Sequence, residues 1–232
     1  MHTSPALKSI NESGILSVLF HQEMPSTSGG LFTNPSAKEW TAPNTGLAAQ
    51  ARQFHRSFPS YAFTPLIELP EIARELGVKR VLLKDESSRL GLPSFKILGA
   101  SWGTFRAIAE QSGLPLTSSI ETIKYTLQTK PIVLYAATDG NHGRAVARMG
   151  AILGIRIEIY VPRGMHPQTI ENITSEGAKV TQTNGSYDDA VNAAHKAAES
   201  EKGILVQDTA FPGYEQIPAV STLSMHLPNT FG

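Results

Sequence analysis

The chain has 232 residues, 20 basic and 20 acidic, for a formal net charge of zero. That balance leaves no basic footprint for nucleic acid, and no apolar run is long enough to span a membrane. The absence of cysteine excludes disulfides, thiolate metal sites and thiol nucleophiles, and fits a cytoplasmic protein.

Residues 1–46, rich in Ser, Thr, Pro, Asn and Gly, read as a flexible leader. "PLIELPEIARELG" predicts a short helix carrying Ile72, Ala73 and Leu76 and closed by Gly77. "VKRVLLKDE" predicts a strand over Arg80–Lys84, and Lys84, Asp85, Glu86 and Arg89 read as a solvated charged loop. "SFKILGASWGTFRAIAEQSG" predicts a helix with Ser94 as N-cap, Leu98, Trp102, Phe105 and Ala109 on one apolar face, and Gly113 as its stop. Lys96 then falls in the first helical turn, where the helix dipole disfavours a cation.

From Lys130 strands and helices alternate. "PIVLYAA", "IRIEIYV", "KVTQT" and "ILVQD" predict strands. Between them lie helices with Ala145, Val146, Met149, Ile152 and Leu153 facing inward, with Pro167 at a first position and Gly177 past an end, and with a Ser186/Asp189 capping box. This alternation predicts an α/β fold with a parallel sheet, whose sites lie at the strand carboxyl ends. The segment after Pro218, "AVSTLSMHLPNTFG", has no helical or strand periodicity.

Several residues carry possible chemistry. Lys96 is either an exposed helix lysine or a Schiff-base lysine whose position at a helix start favours the neutral amine. Asp139, Asn141 and His142, in "TDGNHG", form either a capping cluster or a pocket rim. As a rim, backbone N–H groups would take a carboxylate, Asn141 would donate to a ring oxygen and Asp139 would accept a proton. Asp208, at another strand end, reads most simply as a turn acid. His195 reads as structural or exposed, and His55 as a packing or surface residue. P-loop, GxGxxG, HExxH and GxSxG patterns are missing, which sets aside nucleotide binding and zinc or serine hydrolysis.

"FHRSFPSYAFTPLIELP", "LLKDESSRLGLPSFKILGAS", "ATDGNHGRAVA", "YVPRGM", "ENITSEGAKV", "YDDAV" and "VQDTAFPGYEQIP" occur in this order from Phe54 to Pro218. Together they resemble the fold-type II pyridoxal-phosphate enzymes, a tryptophan synthase β-like group, and within it the diaminopropionate ammonia-lyases. The resemblance implies a three-layer αβα small domain over 92–203. It also implies an incomplete large domain from 47–91 and 204–218, and a tail over 219–232 outside the family pattern. It matches Lys96 to the lysine that carries pyridoxal 5'-phosphate and Asn141 to the asparagine that bonds the cofactor's phenolic oxygen. Thr138, Gly140 and His142 fall in the loop that takes the substrate carboxylate. Asp139 and Asp208 match the acids that handle the D- and L-isomers of the substrate. The implied activity is α,β-elimination of 2,3-diaminopropionate to pyruvate and ammonia by a cytoplasmic enzyme acting on a small amino acid, commonly a homodimer. The pattern also leads one to expect that the chain stops before the glycine-rich phosphate cup, with impaired activity. A non-catalytic remnant and a threonine or serine dehydratase-like lyase stay open as alternatives.

Overall fold

The computed structural model describes residues 45–215 together with 217 and 218. The leader expected over 1–46, apart from residues 45 and 46, and the tail expected over 219–232 lie outside the described residues. The chain divides into two compact units. The described part of the first covers residues 64–85, and the second contains residues 45–63 and those from 86 onward.

The smaller unit is an antiparallel pair, β1 (Leu66–Glu68) and β2 (Leu82–Lys84), joined through the short helix α2 (Pro70–Glu75). Pro sits in the first turn of α2, where its missing N–H costs nothing, and Gly77 leaves the helix at a left-handed φ of 65°. The expected helix is thus present, but Ile72 and Leu76 are exposed and only Ala73 is buried. β1 has no sequence signal of its own beyond "LIE".

The larger unit holds a parallel four-stranded sheet in the order β5-β4-β3-β6. Its strands are β3 (Leu134–Ala137), β4 (Ile157–Val161), β5 (Lys179–Gln182) and β6 (Ile204–Leu205). Strand β3 pairs with β4 from Leu134↔Ile157 and with β6 only at Leu134↔Ile204 and Tyr135↔Leu205. Side chains alternate across the sheet. Leu134, Ala136, Ile157 and Ile159 join one core with α1 (Thr45–Arg56), α3 (Lys96–Ser112), α4 (Ile120–Thr129) and α5 (Asn141–Leu153). Tyr135 and Ala137 join a second core with Ala190, Ala194 and Ala198 of α7 (Tyr187–Ser200). The alanines recur every four residues and present a flat strip, so α7 lies close to the sheet.

Two patterns read differently in the structure. "IRIEIYV" forms the expected strand, but β4 does not bury only its alternating apolar residues: it is covered on both faces, Glu158 included. Glu158 keeps its charge compensated by Lys179 at 3.4 Å and Arg156 at 3.6 Å. Helix α3 is buried nearly all round, Ile97, Ala100, Ser101, Thr104 and Ile108 included, rather than along one face. It is the central helix of its layer, packed against α1, α4 and α5. α1 and α4 were not expected from the sequence. Helix ends follow the expected chemistry: Gly113 and Gly154 cap α3 and α5 in the left-handed conformation, and the Ser186/Asp189 capping box opens α7. Pro167 begins α6 (Pro167–Thr174).

Candidate active site

The carboxyl ends of the parallel strands surround a cavity of about 700 Å³, within the size range of small-molecule sites. Each residue expected at a site lines it: Lys96, Thr138, Asp139, Gly140, Asn141, His142 and Asp208. They come from three places: the start of α3, the turn between β3 and α5, and the chain just past β6.

The β3–α5 turn is built around Thr138. Its Oγ1 accepts from the backbone N–H of Gly140 at 2.9 Å and of Gly143 at 3.0 Å. Thr138 therefore caps α5, although the formal N-cap residue is Gly140. The Gly143 position must lack a side chain, because a Cβ there would overlap Thr138 and come within 3.1 Å of Ile159. With the Gly140 and Gly143 donors satisfied, the N–H groups of Asn141 and His142 are the helix-start donors without an intrahelical acceptor. They and the helix dipole favour a small anion at the rim. Asp139 and Asn141 are exposed there.

His142 points inward. It is buried, and its Nε2 lies 2.8 Å from the Val206 carbonyl. A carbonyl only accepts, so Nε2 carries the proton and Nδ1 holds the lone pair. Burial pushes the imidazole below its ordinary value, against the pull of Asp208, so His142 is neutral near pH 7. Its Nδ1 stands 3.7 Å from Asp208 Oδ2.

Lys96 and Asp208 form an ion pair, with Nζ 2.5 Å from Oδ2. Burial works to raise the Asp208 carboxyl, but His142 and Lys96 outweigh it and hold it below the ordinary carboxylate value. Since His142 is uncharged near neutrality, Lys96 is the cation that keeps Asp208 ionised there. Lys96 is the first residue of α3, and its backbone N–H donates to Ser94 Oγ at 3.2 Å. The expected cap thus acts one residue before the formal N-cap, Phe95.

Other cavity residues escaped the sequence reading. Tyr187 lines the cavity, and its hydroxyl accepts from Gln207 Nε2 at 2.7 Å. Arg144 also lines it and is held by Glu176 at 2.9 Å, which grips Arg148 at 2.5 Å as well. Thr169 and Asn172 contribute from α6. The usable signal was positional: every loop after a strand of a parallel sheet opens on the same edge, so the starts of α6 and α7 deserved the same scrutiny as "TDGNHG". Arg89, expected in a solvated loop, is fully buried. Its guanidinium donates to Glu86 at 2.6 and 2.7 Å and to the Ala62 carbonyl at 3.0 Å. His55 packs as expected, buried with Nε2 3.0 Å from the Leu98 carbonyl, and His195 lies against Phe211. Among the described residues there is no cluster of acidic or histidine side chains fit for a metal, and no helix is long and apolar enough to cross a membrane.

Residues 58–223 match the family model described as pyridoxal-phosphate dependent enzyme. The chain belongs to that family. Its cofactor is pyridoxal phosphate. The diaminopropionate ammonia-lyase of Salmonella typhimurium is 38% identical over 179 residues, which are 75% of this chain and 44% of that protein. The Escherichia coli K12 protein of the same name is 39% identical over 172 residues, 74% of this chain and 43% of that protein. A crystal structure of the Escherichia coli enzyme in complex with D-serine superposes with a TM-score of 0.72 at 37% identity, covering 77% of this chain and 46% of that one. The chain thus spans less than half the length of these relatives. The fold is the fold-type II α/β architecture, shared at 19% identity and a TM-score of 0.55 with maize serine racemase.

Proposed function

We propose that this chain carries the lysine-bearing half of a pyridoxal-phosphate site for α,β-elimination from a small amino acid, with 2,3-diaminopropionate as the substrate. The observation that carries the reading is the convergence on one cavity of the Lys96 amine, the Asp208 carboxylate and an anion-seeking helix start flanked by Asp139. Identity with the two ammonia-lyases supports the substrate class.

The residues present fit one end of the cofactor. Lys96 offers a primary amine inside the cavity for the aldehyde carbon, and Asn141 offers an exposed amide beside the helix start for the ring hydroxyl. When bound, pyridoxal phosphate supplies a sink for the electron pair left at the substrate α-carbon. The protein does the rest. The substrate carboxylate accepts hydrogen bonds from the backbone N–H groups of Asn141 and His142, in the turn that Thr138 and Gly140 shape. Asp208 takes the α-proton of the L-isomer, and Asp139, entering from the other strand end, takes that of the D-isomer. The β-amino group leaves after gaining a proton, and water completes the conversion to pyruvate and ammonia. An ionised acid is required at the start, and Lys96 keeps Asp208 in that form.

The test is to add pyridoxal phosphate to the full chain and record the visible absorbance of its adduct with lysine. A band that a Lys96→Ala change removes supports the reading. No band, or a band that survives the change, overturns it. Pyruvate release from D- and L-diaminopropionate, measured beside threonine and serine, then assigns the substrate. Faster release from threonine or serine would move the chain to the dehydratase-like class.

A further inference from the structure

The β3–β6 ladder stops early, and what replaces its next rung is unusual. A regular parallel ladder that has paired Tyr135 with Leu205, and bonded Val206 N–H to the Tyr135 carbonyl at 2.7 Å, would next join Ala137 N–H to the Val206 carbonyl. That bond is not made. Ala137 N–H donates instead to Gln207 Oε1 at 3.0 Å, and the Val206 carbonyl accepts from His142 at 2.8 Å. Both halves of the lost rung are satisfied by buried side chains, as backbone groups in an interior must be. The strands can therefore part where the cavity begins, with Thr138 following one strand and Asp208 the other.

Gln207 is the more constrained of the two. It is fully buried, and every polar group of its side chain has a defined partner direction. Ala137 N–H can only donate, so the amide oxygen faces it and the amide nitrogen faces Tyr187, whose hydroxyl it reaches at 2.7 Å. The Gln207 backbone N–H donates to the Tyr214 hydroxyl at 2.8 Å, which in turn donates to the Leu205 carbonyl at 2.7 Å. Residue 207 is thus pinned to β3, to the start of α7 and to its own strand. The next residue is Asp208, 2.5 Å from the Lys96 amine.

We infer that Gln207 is a positioning residue: by closing the opened end of the ladder it sets where Asp208 stands against Lys96. The inference deepens the proposed function and rests on its assignment of Lys96 and Asp208, yet it can be read without cofactor. The probe is acetic anhydride, with acetylation of Lys96 followed by peptide mass spectrometry in the full chain and the exposed lysines as internal standards. Four proteins form a cycle: the natural chain, Gln207→Met, Asp208→Asn and the double variant. Asp208→Asn frees the amine and raises Lys96 labelling at least about threefold. Gln207→Met, of similar length but unable to bond either partner, raises it in the same direction by about twofold or more. In the double variant labelling rises no further than in Asp208→Asn, the non-additivity expected of coupled residues. Independent, multiplying effects would overturn the inference, as would a Gln207→Met effect that appears equally at every lysine. Should Gln207→Met fail to fold, Gln207→Glu keeps an oxygen for Ala137 N–H and accepts from the Tyr187 hydroxyl instead of donating to it. The Asp208→Asn effect is then preserved within about twofold in its background, and its disappearance there would count against the inference. Uptake of pyridoxal phosphate by the same proteins separates the two failures: a normal labelling cycle with no cofactor band defeats the proposed function alone, and a Lys96-dependent band with an additive cycle defeats only the role of Gln207.

Discussion

Replacing Thr138 by Val is the sharpest probe of how the β3–α5 turn is built. Valine matches threonine in shape and keeps the methyl group that packs at this nearly fully buried position. It removes one oxygen, which accepts from two backbone donors, Gly140 N–H at 2.9 Å and Gly143 N–H at 3.0 Å. Loss of a helix cap costs about 1 kcal/mol. The Gly143 donor is buried and finds no water, which adds about another 1 kcal/mol, whereas the half-buried Gly140 donor can be solvated. The sum is about 2 kcal/mol, or a fall of roughly 4–8 °C in melting temperature for a chain of this size. Urea unfolding followed by far-UV circular dichroism gives the free energy, and a thermal scan gives the shift. Thr138→Ser keeps the hydroxyl and loses only the methyl, so it should cost about half as much. A Thr138→Val protein within about 0.5 kcal/mol of the natural chain, or a serine variant as damaged as the valine one, would show that the oxygen does not hold the turn.

Gly143→Ala pushes a methyl into Thr138 and Ile159, so it should cost about 1–3 kcal/mol in the same urea assay although alanine is the better helix former. His55 is buried and neutral, pushed down to about 4 from 6.5, chiefly by burial. Its contribution is therefore complete above pH 6.5 and is lost as pH falls toward 4, by about 3 kcal/mol at most; urea midpoints across that window should flatten in His55→Gln, which keeps a donor for the Leu98 carbonyl and does not titrate. Glu176 is opposed by burial but held below 4.5 by its hydrogen bonds from Arg148 and Arg144. Its stabilisation is present above pH 4.5 and fades as pH falls through the lowered value, so Glu176→Gln should lose about 1–2 kcal/mol at pH 7 and converge with the natural chain in stronger acid.

What was legible in the sequence was local. Gly113, Gly154 and the Ser186/Asp189 pair mark helix ends because the cap geometry is set by one or two residues. β3 was legible because burial on both faces demands a run such as "PIVLYAA", whereas the edge strand β5, exposed at Lys179 and Gln182, shows itself only as the short "KVTQT". Burial around α3 was not, since whether a helix has one covered side or three depends on which other helices arrive. Arg89 misled for the same reason: beside Asp85 and Glu86 it reads as part of a wet loop, and only the fold brings the Ala62 carbonyl to it. The cavity shows the same division. The rule that sites gather at strand carboxyl ends put Asp139, Asn141 and Asp208 on one edge in advance, while Lys96, at a helix start, joined them only through the family resemblance. Tyr187, at the start of α7, falls under the same rule, but neither it nor Gln207 belongs to a recognisable motif, because what joins them is a ladder rung that fails to form between β3 and β6.

One sequence-level conflict is resolved by the structure. A lysine in the first turn of α3 lies at the wrong end of the helix dipole, an arrangement that costs a few tenths of a kcal/mol up to about 1. The Asp208 carboxylate at 2.5 Å supplies the missing negative charge from another strand end. The two charges then depend on each other. Lys96 keeps Asp208 ionised against its burial, and Asp208 makes a cation tolerable at a helix start that would otherwise repel it. A proton delivered to Asp208 would leave the Lys96 side chain facing the dipole of α3 without its counter-charge. In the proposed reaction that coupling has a direction. The acid assigned to the α-proton is also the counter-charge of the neighbouring amine, so neutralising it weakens the contact that holds Lys96, beside a His142 imidazole that burial pushes below its ordinary value.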